Sequence, residues 1–355
     1  MRPFLKPFLK PALKPALKPL ALTVAVTLTL AGAAACSEPD KPGDGKLTIY
    51  SGRSEALVKP LLESFERASG IEVEVRYGDT ASMAAQLLEE GEESPADVYL
   101  AQDAGALGAV AKKGLFAPLP QELLEKVQPV YRSRTGEWVG VTGRSRVFVY
   151  NRDQIAADAL PKSVFDLTSP QWRGKVGVAP NNGSFQAFVT AIRVQHGDAK
   201  AREFLSGLKA NEPQIRDNNV LIVADVDEGR LAAGLVNHYY MYNRAKEKGT
   251  TVAGLKAQLH FFPGGDVGAL VNVSGAGLLR KAGNDPDARK LLDYLLSTEG
   301  QTYFAQQTYE YPLVAGVPAG PGLPALNTIK APDIDLNNLD TLQATIEMIK
   351  QAGLA

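Results

Sequence analysis

Between Leu47 and Gly114 the chain alternates three times between a short apolar run and a longer segment of helical period. No other feature narrows its fold as much. LTIY (47–50) reads as a buried strand. SEALVKPLLESFERASG follows, with Leu57, Val58, Leu61, Leu62, Phe65 and Ala68 at helical spacing and Gly70 as a stop. Pro60 is expected near the first turn, where its missing N–H costs least. IEVEVRY (71–77) alternates residue by residue, as a half-buried strand does. Thr80 or Ser82 then caps a helix over MAAQLLEE, closed by Gly91. ADVYLA (96–101) is a third strand and DAGALGAVAKKG a third helix. This order predicts an α/β fold with a parallel sheet and right-handed crossovers. Ligands of such sheets bind beyond the carboxyl ends of the strands, which singles out residues 51–54, 77–80 and 102–103.

A second β/α system begins after GRSRVFVYN (143–151). It contains the strand KVGVAP (175–180), the helix SFQAFVTAIRVQHG, and the strand GLVN, which leads into the tyrosines of NHYYMYN (237–243). Three of the chain's 12 tyrosines fall in that last stretch. Neighbouring side chains of a regular strand point to opposite faces. At a strand-to-helix turn, Tyr239 and Tyr240 can instead face one cavity.

The first 45 residues stand apart. Arg2, Lys6, Lys10, Lys14 and Lys18 recur with proline every fourth residue, a spacing that forbids a stable helix. An uncharged run from Pro19 to Ala35 follows, ending in small residues. This is a secretory signal over residues 1–35, with a short transmembrane anchor as the alternative. Cys36, the chain's single cysteine, follows AGAAA in a setting that resembles a bacterial lipobox with Ala33 in place of leucine; lipidation at Cys36 is expected. Residues 36–45 form a flexible tether. Without the five leader cations, 33 of the 38 basic residues remain against 39 acidic ones, a net charge of −6. That balance offers nothing to nucleic acid. About 310 residues remain, enough for one large or two modest domains.

Enzyme signatures are missing. There is no G-x-S-x-G elbow, GDGKLT lacks the upstream glycine of a phosphate loop, and His196, His238 and His260 have no metal-ligand spacing. The lone cysteine lies outside the fold, so a cysteine nucleophile is excluded. What remains is a set of phenols, arginines and amides at strand ends. A phenol with its ordinary pKa of about 10 ionises at neutral pH only beside a strong Lewis acid. Ferric iron is a hard cation suited to hard oxygen donors, and arginine would hold an accompanying oxyanion bidentately.

From Leu47 to about Val317 the chain resembles the ferric-ion-binding substrate-binding proteins of bacterial iron ABC transporters. The likeness rests on LTIYSGRSEALVKPLLESFE, PADVYLAQDAG, GRSRVFVYN, GVAPNNGSF, NHYYMYNRAKEKG and GALVNVSGAGLLRKAGN. It implies the two-lobed periplasmic-binding-protein (type II) fold with a ligand cleft between the lobes. Residues 46–146 and 270–320 would form lobe 1, and residues 147–269 and 321–355 lobe 2. Hinges are expected near 143–150 and 268–277. Tyr239 and Tyr240 match the family's paired phenolate ligands, and Tyr150 matches a third used by some members, although a structural tyrosine there remains an open reading. Asn182, Gly183, Ser184, Asn218 and Asn237 match positions that hold a synergistic anion in some relatives. Backbone N–H groups opening the helix at SFQAF make physical sense of the NNGS turn, while Asn218 and Asn219 also read as a plain turn.

Other relatives use a histidine and a glutamate where this chain has Ser54 and Gln102. Phenolates and an exogenous anion would then complete the shell. Arg53 and Arg144 are the expected anion clamps, with Arg146 as a helper, unless one of the latter two lies on a solvated strand face. Carbonate is expected over phosphate. Tyr242 is assigned to packing, and His238 is not expected to be a ligand. The function implied is an extracytoplasmic, lipid-anchored, monomeric receptor, not an enzyme, that binds Fe³⁺ and delivers it to an ABC permease. The alternative is a receptor of the same fold for an organic or oxyanion solute, such as a thiamine-like compound, a polyamine or a phosphonate. Few strand-end acids are available for a polyamine, essentially Asp79 and Asp103.

Overall fold

LTIY and its flanks form β1 (Lys46–Ser51), which runs parallel to β2 (Glu72–Tyr77) on one side and β3 (Val98–Ala101) on the other. The structure, a computed structural model, describes residues 43–355. The leader, Cys36 and the tether up to residue 42 lie outside the described residues.

The crossovers are α1 (Glu55–Ser69) and α2 (Thr80–Glu90), and α3 (Ala104–Lys112) follows β3. Helix α1 buries Val58, Leu61, Leu62 and Phe65, the stripe expected from its period, and ends at Gly70 in the left-handed conformation (φ 73°). Pro60 falls in the second turn rather than the first, because the helix begins only at Glu55. Strand β2 lies at the sheet edge, and its alternate residues are half-buried and exposed.

Further along come α4 (Gln121–Leu124) and β4 (Val139–Asn151), then β5 (Val176–Val178) and α5 (Gly183–Ala210), which kinks at Gly197. Strand β6 (Gln214–Ile215), α6 (Asn219–Asp227), β7 (Ala233–Asn237), α7 (Tyr239–Glu247) and β8 (Ala257–His260) complete the second β/α system. The chain then returns through β9 (Val271–Leu278), α8 (Pro286–Leu295), α9 (Thr298–Tyr303) and β10 (Tyr311–Pro312), and ends in α10 (Leu342–Gln351).

The strands line up as β2-β1-β3-β9-β4-β7-β5-β6, with β8 and β10 also on β4. The long strand β4 joins the two β/α systems. Residues 139–145 pair antiparallel with β9, beside the parallel β1–β3 set, and residues 146–151 pair with β7 and β8. The change of partner falls between Ser145 and Arg146. Close approach of β4 and β9 depends on Gly275, where a β-carbon would meet the Val139 carbonyl oxygen at 2.6 Å.

The carboxyl ends of β1, β2 and β3 therefore open on one edge, and those of β5, β6 and β7 open on the facing one. Loops from both systems meet there. Among the described residues no helix is long and apolar enough to cross a membrane.

Candidate functional site

A cleft of about 750 Å³ lies where these two sets of strand ends face each other. Gly52–Ser54 after β1, Tyr77–Asp79 after β2 and Gln102 after β3 line one wall; Asn182 before α5, Asn218 before α6, and Tyr239 and Tyr240 opening α7 line the other. Among the described residues no group of three or more His, Cys, Asp or Glu could hold a metal. The oxygen donors lining the cleft include the phenols of Tyr77, Tyr239 and Tyr240 beside Asp79 and Gln102.

The turn from β7 into α7 sets the tyrosines. His238 already has helical dihedrals (φ −57°, ψ −40°), so Tyr239 and Tyr240 project from the first turn. Their ring centroids are 4.1 Å apart with planes inclined at 31°. Tyr239 is fully buried and its hydroxyl has no hydrogen-bond partner. Burial, followed by the neighbouring Tyr240, holds its pKa well above the ordinary phenol value, while Arg53 and Arg144 pull the other way. An empty cleft therefore keeps Tyr239 a neutral phenol, and only a strong Lewis acid would remove the proton.

Tyr242, two residues on, packs. It stacks on Tyr309 at 5.3 Å and donates to the Gly322 carbonyl over 2.8 Å. His238 is a strut: Ser145 N–H donates to its Nδ1 over 3.1 Å, and its Nε2–H donates to the Tyr309 carbonyl over 2.9 Å. Burial pushes its pKa down to about 4, so it stays neutral.

All three arginines are buried, and the solvated-face reading of Arg144 or Arg146 fails. For Arg144 and Arg146 the reason is that both faces of β4 are covered, residues 139–149 being buried without alternation. Arg53 lines the cleft and donates from Nη2 to Glu310 Oε2 at 2.6 Å. Burial opposes its charge, but Glu310 and the two tyrosines more than offset that, and its pKa is raised. Arg144 sits behind the wall with Nε 3.8 Å from Glu310 Oε1, and none of its three nitrogens has a hydrogen-bond partner. Burial, then Arg53, lower its pKa. Arg146 donates to Ser184 Oγ (3.1 Å) and to the Leu235 carbonyl (3.0 Å), and lies over the rings of Phe185 and Phe188. Burial pushes it down to about 9.

Of the residues singled out from the sequence, Arg53, Asn182, Asn218, Tyr239 and Tyr240 line the cleft. Arg144, Gly183, Ser184 and Asn237 lie outside the lining; Asn237 ends β7 opposite Arg146. Tyr150 is not brought to the cleft. It pairs with Ala233 at the start of β7 and with Gln258 of β8, four residues from Arg146. At about 3.3 Å per residue that is roughly 13 Å. Because β4 and β7 are antiparallel, moving from Arg146 to Tyr150 leads away from the carboxyl end of β7.

One acid escaped the sequence reading, Glu310, and a second, Asp103, is singled out there only by its place after β3. Glu310 is fully buried, accepts Thr308 and Thr142 hydroxyls at 3.0 and 3.1 Å, and faces both Arg53 and Arg144. It follows Tyr309, whose φ of 59° and π-helical approach (Phe304–Thr308) mark an irregular, shaped segment. Asp103 caps α3 through Oδ1, which accepts Ala106 N–H at 2.9 Å, and its Oδ2 is buried without a partner. Burial raises its pKa to about 6, against Ala106 N–H and Arg144, which lower it.

Residues 93–339 match the family profile of bacterial extracellular solute-binding proteins. The chain is 32% identical over 312 residues to the Fe(3+)-binding periplasmic protein of Serratia marcescens, covering 88% of this chain and 91% of that one. It is also 32% identical over 325 residues to the major ferric iron-binding protein of Neisseria meningitidis serogroup B, covering 90% and 97%. The crystal structure of iron-bound HitA from Pseudomonas aeruginosa superposes with a TM-score of 0.82 at 36% identity, over 87% of this chain and 99% of that one.

Proposed function

The chain belongs to the bacterial extracellular solute-binding proteins, among the periplasmic ferric-ion-binding members with the two-lobed type II fold, and we propose that it captures Fe³⁺ between Tyr239 and Tyr240 and hands it to an ABC permease. The observation that carries this reading is the closely packed, tilted tyrosine pair on the cleft wall, with the hydroxyl of Tyr239 unpartnered and in the field of Arg53 and Arg144.

Charge supports an accompanying anion. Two phenolates reduce Fe³⁺ to a net +1, the Arg53–Glu310 pair is neutral, and Arg144 adds a further positive charge with no hydrogen-bonded partner. A dianion balances the group. Carbonate is the better fit to a shell without carboxylate or imidazole ligands, because a small planar oxyanion can occupy two metal positions and still meet Arg53. Asn182 and Asn218 stand on the facing wall.

Closure would bring the two strand-end walls together, with β4 at Ser145–Arg146 and the start of β9 as the crossing points between lobes. The lobe limits proposed are 46–146 with 270–320, and 147–269 with 321–355. Bound iron would favour the closed form only through its greater affinity for it. The receptor acts outside the cytoplasm, tethered through a lipidated Cys36.

The test is the visible spectrum of the metal-free protein as ferric citrate is added, with and without bicarbonate. A broad red-orange phenolate-to-iron band that grows with bicarbonate and disappears in Tyr239→Phe or Tyr240→Phe is the expected result. A flat spectrum from folded protein would overturn the iron reading in favour of an organic or oxyanion solute.

A further inference from the structure

We propose that the C-terminal segment 335–351 is a strap that joins the two lobes across the seam between α3 and α5, limits how far the cleft opens, and thereby raises its affinity for the ligand. The proposal goes beyond the solute-binding reading and rests on it only for the ligand used to measure affinity.

The seam is tight at its start. Asp103 caps α3, and a β-carbon at Gly183, the first residue of α5, would lie 3.0 Å from Asp103 Oδ2. Further along, the strap packs on both helices. It begins with the short turn Leu336–Leu339, capped by Asp335, whose Oδ1 accepts Asn337 N–H at 2.9 Å. Leu336 and Leu339 are buried, and the turn comes close to α3 at two glycines three residues apart, on one helix face. A β-carbon at Gly105 would lie 2.5 Å from the Leu339 carbonyl oxygen, and one at Gly108 would lie 3.0 Å from Asp340 Cβ. The strap ends in α10, which buries Leu342, Thr345, Met348 and Ile349 as a stripe of helical period on the α5 side.

The polar contacts of the strap change lobe at one peptide bond. Before it, Asn337 accepts Arg134 N–H (3.1 Å) and donates to the Arg132 carbonyl (3.2 Å), and Lys112 donates to Asp340 Oδ2 (3.1 Å). After it, Arg193 Nη1 donates to the Thr341 carbonyl (3.1 Å) and the Thr345 hydroxyl (2.9 Å), and the Thr345 and Thr190 hydroxyls bond at 2.7 Å. Among the described residues, no hydrogen bond or ion pair joins residues 335–340 to α5, so the turn can slide on that helix. The Asp340–Thr341 junction is thus a crossing between the lobes additional to β4 and β9, and it lies later than the limit at residue 321. A link anchored on both lobes narrows the range of open arrangements. An open state with less freedom loses less of it when the cleft closes on a ligand, and binding is tighter.

The test inserts Gly-Ser-Gly-Ser between Asp340 and Thr341. The insertion gives the strap slack, leaves every anchor in place, and as added loop length costs little stability. Small-angle scattering of the metal-free variant should show a larger radius of gyration and a greater maximum dimension than the wild type. Competition with a chelator should show iron affinity lowered on the order of fivefold to tenfold, the lower range of coupling between separate sites. Leu339→Ala, which loosens the first anchor, should move both readouts the same way and add nothing to the insertion, because a slack strap is not released twice. A segment that only packs would leave affinity unmoved in both variants. Unchanged scattering, unchanged iron affinity in a protein that binds iron, or affinity losses that add would each overturn the proposal. If the insertion does not fold, Leu339→Ala is read by the scattering and affinity criteria. A scattering change without a ferric band in the wild type sinks the iron reading alone, and a ferric band with unchanged scattering sinks this proposal alone.

Discussion

Arg53 and Glu310, separated by 257 positions in sequence, form a 2.6 Å ion pair with both side chains shut from solvent. The carboxylate is shared: Thr142 and Thr308 donate to it, and Arg144 lies 3.8 Å away. Two cations near the tyrosine hydroxyls thus depend on one buried counter-charge.

Removing that counter-charge leaves two guanidinium groups in a dry site. Glu310→Ala should destabilise the metal-free protein by about 3–5 kcal/mol, the usual cost of stranding a buried charge. Arg53→Met combined with Glu310→Leu should cost less than the sum of the single changes. Urea unfolding of the four proteins measures the coupling, and additive costs would show that the pair is not a unit.

The three tyrosines should separate cleanly in iron titrations. Tyr239→Phe and Tyr240→Phe should each weaken iron binding by at least about 100-fold, beyond the usual effect of losing an outer-shell partner. Tyr150→Phe should leave affinity and spectrum unchanged, since Tyr150 pairs with Ala233 at the far end of β7. Competition with a chelator gives the three affinities.

His238 makes acid stability predictable. Its pKa is depressed to about 4 from an ordinary 6.5, so the unfolded chain takes up its proton first as pH falls. The stability His238 contributes as a neutral strut is complete above about pH 6.5 and is lost progressively down to pH 4, by about 3 kcal/mol. His238→Gln lacks this titration. The stability advantage of the wild type over that variant should therefore shrink by about that amount between pH 7 and pH 4, read from urea unfolding of the metal-free proteins at both values.

Gly105 tests the C-terminal segment. Replacing a helical glycine with alanine ordinarily stabilises by about 1 kcal/mol, but here the added carbon would lie 2.5 Å from the Leu339 carbonyl oxygen. That segment is held by backbone on α3 and, further on, by Thr345 hydrogen-bonded to Thr190 of α5 at 2.7 Å. Gly105→Ala should reverse the usual sign and cost about 1–3 kcal/mol, with faster proteolysis after residue 330. Neutral or stabilising behaviour in thermal unfolding would show that the segment yields freely.

Local pattern carried the sequence reading a long way. The apolar periods of 47–113 determine β1, α1, β2, α2, β3 and α3, because strand and helix spacing are properties of near neighbours. The same locality determines that Tyr239 and Tyr240 leave a strand and open a helix, and so can share a cavity. The NNGS turn was legible as a helix start, and Asn182 does cap α5.

Which end of a strand a residue occupies relative to a cleft was not legible. Tyr150 looks like a strand-end residue in VFVYN, yet the antiparallel pairing of β4 with β7 turns that end away. Pairing direction depends on a partner more than 80 positions on. The charges around the tyrosines were decided the same way. Arg144 and Arg146 alternate like a solvated face and become buried only because both faces of β4 are covered. Glu310 meets Arg53, and Asp103 meets Gly183, across distances in sequence that no local period spans. The sequence by itself determined the elements and the donors they carry; tertiary structure alone decided which charges those donors face, because Coulomb interactions depend on distance in space and on exclusion of water.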